Sequence, residues 1–96
     1  MEHSNQGKFT RVKIARDFNL LTVRELERSF FKCDHLELDL ATCRFVDSEA
    51  IVYIHRQINS GTVIRLMNSP PILKECLRIL EVEEAWRKNK NLIFNG

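Results

Sequence analysis

The sequence predicts a single small α/β domain whose sheet, largely parallel or mixed, is covered by helices on one face. Two segments alternate apolar and charged residues in the period of a half-buried strand: residues 9–16, with Val12 and Ile14 opposite Arg11 and Lys13, and residues 36–40, with Leu36, Leu38 and Leu40 opposite Glu37 and Asp39. Segments with helical spacing, opened by capping residues, separate the strands. The outward strand positions Arg11, Lys13, Glu37, Asp39 and Arg65 are all charged. A sheet buried on both faces would instead show continuous apolar strands, so one face is expected to stay open. Strand–helix–strand connections of this length are right-handed crossovers. Cross-strand ion pairs on the open face are expected to contribute at most about 1 kcal/mol each, on a surface that is either solvated or met by a partner.

In chain order, residues 1–8 are polar and are expected to form a flexible N-terminal tail, with the domain spanning residues 9–96. After the first strand, Thr22-Val23-Arg24-Glu25 has the form of a capping box, which would start a helix at Val23 with Leu21 stapled onto Leu26. The stripe of that helix is Val23, Leu26, Phe30 and Cys33. Beyond the second strand, Phe45 and Val46 lead into the acidic turn Asp47-Ser48-Glu49-Ala50, which opens a helix carrying Ile51, Ile54 and Ile58 and ending at Ser60-Gly61. Residues 62–68 form the next strand. Ser69 then reads as an N-cap with Pro70 at the first helical position, ahead of a helix burying Ile72, Leu73, Cys76, Leu77 and Leu80. Residues 83–88 continue as a short helix carrying Trp86, and Leu92-Ile93-Phe94 fits either a last short strand or a packed tail. Phe9, Phe30, Phe31, Phe45 and Trp86 suit core positions better than a base-stacking platform.

Composition narrows the function classes. Ninety-six residues bury only about two-thirds of their unfolded surface, so the core is modest and an oligomer is possible. Lys+Arg number 15 against 13 Asp+Glu, with the two signs interspersed, which leaves no footprint for nucleic acid. The one basic cluster, Arg87, Lys88 and Lys90, reads as a solvated tail. Cys33, Cys43 and Cys76 have neither disulfide-framework nor metal-ligand spacing and read as reduced core thiols of a cytoplasmic protein. The N-terminus carries no apolar leader and no run approaches the roughly 18 apolar residues of a membrane span, so the chain is expected not to be membrane-embedded.

Catalytic and metal-binding patterns do not emerge either. Ser48 and His55 are separated by two helical turns, about 10 Å along the axis, too far for a nucleophile–base hydrogen bond. Asp39, Asp47 and Glu49 do not make an oxygen cage, and three glycines, Gly7, Gly61 and Gly96, do not make a phosphate loop. No enzyme activity, cofactor or metal is expected. His35 reads as a loop residue and His55 as a helix-surface residue.

The acidic turn is the most informative stretch. A strand-to-helix turn exposes the first backbone N–H groups of the helix, which favour negative charge. Leu36-Glu37-Leu38-Asp39-Leu40 followed by Phe45-Val46-Asp47-Ser48-Glu49-Ala50-Ile51 resembles the signature of the STAS (sulfate-transporter and anti-sigma-factor-antagonist) domains, a strand and then Phe-x-Asp-Ser-Ser-Gly-Leu opening a helix. Thr22, Gly61 and the Ser69-Pro70 helix start extend the resemblance over roughly residues 9–86. It implies a free-standing regulatory domain that binds another protein, the partner being an anti-sigma factor with an ATPase-like kinase fold. An alternative within the family is a small subunit of a multi-protein transporter or signalling complex, and another is a domain that senses a ligand.

In the anti-sigma-factor antagonists a partner kinase phosphorylates the second serine of Asp-Ser-Ser-Gly. Carried onto this sequence, that position is Glu49. Glutamate accepts no phosphate in this way and supplies about one negative charge where phosphoserine supplies up to about two. Ala50 stands where the family has glycine, which implies ordinary helical dihedrals there. Three readings of the turn remain open: a plain helix start capped by Asp47 or Ser48, a protein-docking surface in which Glu49 is a permanent charge, and a displaced phosphosite at Ser48. Ile51, Val52, His55 and Ser69 are the residues expected to extend a partner surface beyond Asp47, Ser48, Glu49 and Ala50.

Overall fold

The computed structural model describes residues 2–30 and 33–95, so Phe31 lies outside it. The strands are β1 (Glu2–Gln6), β2 (Phe9–Lys13), β3 (Arg16–Phe18), β4 (His35–Asp39), β5 (Cys43–Val46), β6 (Val63–Met67) and β7 (Leu92–Asn95). The helices are α1 (Leu20–Phe30), α2 (Ser48–Asn59), α3 (Pro71–Ile79) and α4 (Glu83–Lys88). A five-stranded sheet runs β1-β2-β4-β6-β7, antiparallel between β1 and β2 and parallel thereafter. This is the mixed α/β architecture expected. The helix-covered face of the sheet presents Val12, Leu36, Leu38, Ile64, Leu66 and Leu92, which form one buried cluster with Leu26, Ile54, Ile58, Leu73, Leu77 and Trp86.

The expected flexible tail is instead the edge strand β1, paired with β2 in register from Glu2 opposite Lys13 to Gln6 opposite Phe9. Gly7, at φ +66°, takes the left-handed conformation that this tight reversal requires. A polar strand on a sheet edge shows no apolar alternation, because its pairing rests on backbone hydrogen bonds.

The first predicted strand is also shorter than residues 9–16. Arg16 adopts φ +66°, the chain leaves the main sheet, and β3 pairs in parallel with β5 as a separate two-stranded sheet. Phe45 on β5 is 63% exposed and does not join the core. Residues 92–95 resolve as strand, parallel to β6.

Helix starts shift by one to three residues from the expected positions. The side chain of Asn19 accepts from the Thr22 N–H at 3.2 Å, so α1 is capped by Asn19, while the Thr22 hydroxyl donates to the Asp17 carbonyl at 2.8 Å. Leu21 is 76% exposed, whereas Leu26, its expected staple partner, is fully buried. At α3 the cap is Pro70 with Pro71 following, and Ser69 stands one residue outside. Proline has no N–H to leave unsatisfied in the first turn, so two consecutive prolines displace the cap from the serine. Of the expected stripe, Leu73 and Leu77 are buried, whereas Ile72 and Leu80 are substantially exposed.

The open face of the sheet is less open than its charge pattern implies. Glu37, at the centre of β4, is fully buried: its two carboxylate oxygens accept from Arg11 Nε on β2 and from Arg65 Nη1 on β6, the latter at 2.8 Å. The Arg65 guanidinium also lies 4.0 Å over the Phe9 ring, which meets His35 edge-on at 5.4 Å. His35 therefore sits on a strand and in a ring contact, not in a loop. Burial acts to raise the Glu37 carboxyl, but the hydrogen bonds and charges of the two arginines outweigh it and hold it below the usual carboxylate range.

Candidate functional site

The acidic turn joins β5 to α2, and its geometry decides which residue caps the helix. Asp47 is extended, at φ −104° and ψ 178°, and its Oδ1 accepts from the N–H groups of Glu49 at 3.0 Å and Ala50 at 3.3 Å. Asp47 is therefore the N-cap. Its own N–H donates to the Phe18 carbonyl at 3.2 Å, so β3 fixes the turn from behind. Ser48 occupies the first helical position with an exposed side chain, leaving its hydroxyl outside the cap. Glu49 is likewise exposed in the first turn, where the helix dipole favours a carboxylate. Ala50 is fully buried and its φ is not positive, the ordinary helical backbone expected of it.

The residues expected to extend the surface divide between core and exterior. Ile51 is buried at 2% exposure alongside Ile54 and Ile58, so it supports α2 from below and offers a partner no side chain. Val52 is 45% exposed and Arg56 is exposed one turn further on. His55 is half-buried, with Nδ1 accepting from Trp86 Nε1 at 3.1 Å. That bond ties α2 to α4. Ser69 lines a different cavity, with Lys74, Leu77, Glu83, Arg87 and Phe94.

The structure adds residues that the sequence reading missed. Leu20, Glu27 and Tyr53 join Glu49, Val52 and Arg56 around a shallow groove of about 80 Å³ between α1 and α2. Leu20 and Val52 are apolar residues off the buried stripes of their helices, a pattern visible in the sequence only once the helix phases are known. Burial, with the negative charge of Glu27 adding to it, pushes the Tyr53 phenol up to about 12. At the other side of the turn, the Cys76 thiol donates to the Val46 carbonyl at 3.4 Å. Burial raises that thiol, and the nearby Asp47 carboxylate raises it further.

Among the described residues no group of three or more His, Cys, Asp or Glu side chains is placed to hold a metal ion. Asp39 Oδ1 accepts from Ala41 N–H in its own loop and from Asn68 Nδ2 at the end of β6. Cys33, Cys43 and Cys76 are free thiols. No helix among the described residues is long and apolar enough to cross a membrane.

No protein-family model matches this sequence, and no curated protein matches it significantly. Among solved structures, the anti-sigma factor antagonist SpoIIAA in its unphosphorylated form superposes with a TM-score of 0.61 at 9% identity, over 91% of this chain and 97% of that one. The superposition shows that this chain shares the fold of that structure, the STAS-like fold expected from the sequence.

Proposed function

We propose that this chain is a non-enzymatic regulatory domain of the cytoplasm that binds another protein through the Asp47 turn and the exposed side of α2. The observation that carries the reading is the exposed Glu49 carboxylate on the first turn of a helix whose cap, Asp47, is anchored to β3 and β5. Beside it, Val52 and Leu20 supply apolar contact and Arg56 a countercharge. Such a rigid patch, apolar at its centre and charged at its edge, has the make-up of a protein interface. By the fold likeness, the partner type is an anti-sigma factor with an ATPase-like kinase fold, and Glu49 holds a constant charge where such regulators switch theirs by phosphorylation.

The lack of a hydroxyl at position 49 favours a constitutive contact, which also suits a small subunit of a multi-protein transporter or signalling complex. Site-specific photo-crosslinking in the native host tests the surface. A photoreactive residue at position 52 should yield a discrete protein adduct, while one at position 13 on the opposite sheet face should not. Adducts of equal yield from both positions, or from position 13 alone, would move the interface away from α2.

A further inference from the structure

A second cavity, of about 310 Å³, lies away from the α1–α2 groove and is lined by Ser69, Lys74, Leu77, Glu83, Arg87 and Phe94. Ser69 follows β6, Lys74 and Leu77 belong to α3, Glu83 and Arg87 to α4, and Phe94 to β7. The cavity is thus built at the carboxyl ends of two neighbouring parallel strands. Its volume falls at the lower end of small-molecule sites.

Three features of the lining specify the chemistry. Leu77 and the 44% exposed Phe94 give it an apolar wall. Lys74 and Arg87 outnumber the single carboxylate, Glu83, which holds Arg87 by a 2.9 Å ion pair and uses one of the five N–H donors of its guanidinium. Lys74 makes no ion pair among the described residues. The Ser69 hydroxyl oxygen is buried without a hydrogen-bond partner, an uncommon state for a buried polar atom in a folded protein.

We infer that this cavity binds a small organic anion, a phosphate monoester or carboxylate joined to an apolar group of about ring size. Lys74 and Arg87 take the anionic oxygens, the Ser69 hydroxyl donates to one of them, and Leu77 and Phe94 cover the apolar group. Arginine and a hydroxyl together give the directed donors that an oxyanion needs, while the lysine adds a point charge. The site is separate from the proposed docking surface and does not depend on it.

Two-dimensional amide NMR of the full chain tests this with phenyl phosphate and phenylacetate, beside inorganic phosphate and benzyl alcohol. The expected result is saturable shifts at Ser69, Lys74, Leu77 and Phe94 with one or both aromatic anions, and weak or absent response to the other two probes. Lys74→Ala and Arg87→Ala should each weaken binding about tenfold, the loss of one charge-assisted contact, with the rest of the spectrum unchanged. Both side chains are exposed, so folding is retained; Ser69→Ala provides a third, smaller loss. The absence of saturable shifts at millimolar probe, shifts centred elsewhere, or an equal response to inorganic phosphate would each overturn the assignment.

Discussion

Removing the Glu37 side chain should destabilise the domain more than any surface charge substitution. Its carboxylate is fully buried and bonded to Arg11 and Arg65, whose side chains are 39% and 29% exposed. Breaking a buried ion pair costs about 3–5 kcal/mol, but both arginines can regain water, which places Glu37→Ala near the lower bound, about 3 kcal/mol. For a domain of this size that lowers Tm by roughly 12 to 24 °C. Glutamine is not a gentle replacement, since its amide would turn a donor toward one of the arginines. The triple replacement Arg11→Met, Glu37→Leu, Arg65→Met should regain most of the loss, because apolar residues of similar volume avoid the desolvation of charge.

The pH dependence follows from the same contacts. Because the folded Glu37 carboxyl is held below its unfolded value, its contribution is complete above the unfolded value, about 4.3, and is lost as pH falls through the folded one. Chemical denaturation of wild type and Glu37→Ala between neutral pH and pH about 3 should therefore show a gap that narrows in acid. A Glu37→Ala variant within about 0.5 kcal/mol of wild type at neutral pH, or a gap that widens in acid, would refute the reasoning.

Three further outcomes are expected. Asp47→Ala removes the α2 cap and should cost about 1 kcal/mol by urea denaturation, whereas Ser48→Ala should cost nearly nothing because the Ser48 hydroxyl does not cap. Trp86→Ala empties a fully buried site and frees His55 Nδ1, and should cost about 3–5 kcal/mol; Trp86→Phe, which keeps most of the volume, should lose much less. Glu49→Ser should change stability by only a few tenths of a kcal/mol; on the function proposed above it also provides a hydroxyl for a partner kinase, so labelling in a native-host extract should appear on the variant and not on wild type. Labelling of wild type at Ser48 would instead identify that residue as a displaced phosphosite.

How much of this was legible in the sequence depended on what each feature rests on. The strands β2 and β4 and the helix α2 show their burial in alternation or helical spacing, and the structure keeps Val12, Leu36, Leu38, Ile54 and Ile58 inside. β1 pairs through its backbone and has no apolar signature, and β3 is three residues long, so neither left a periodic trace. The cap of α1 was misplaced because Thr22-Val23-Arg24-Glu25 has the form of a capping box, while Asn19, three residues earlier, makes the bond. Glu37 looked like a solvated strand charge. Its burial arises from two arginines on neighbouring strands, a pairing fixed only by the registers of β2, β4 and β6.

At the candidate site, the position of Asp47, Ser48 and Glu49 on a helix start followed from local chemistry. The helical spacing of Ile51, Ile54 and Ile58 already sets Ile51 on the buried side of α2, so its place in the expected partner surface conflicts with that phase; the structure buries Ile51 and leaves Val52 exposed. The surroundings of His55 and Ser69 are tertiary, one bonded to Trp86 from α4 and the other set among residues of α3, α4 and β7. The likeness to an anti-sigma-factor antagonist is one of fold, and at 9% identity the surface chemistry has to be read from this chain's own residues.

The most direct test of the docking surface is quantitative affinity purification of the tagged protein from its native host, with wild type, Glu49→Ser and Glu49→Arg compared by mass spectrometry. A protein partner recovered with wild type should fall at least about tenfold with Glu49→Arg, since reversing a charge at an interface places like charges together. Equal recovery with all three forms would contradict the claim that Glu49 and the α2 turn hold the partner.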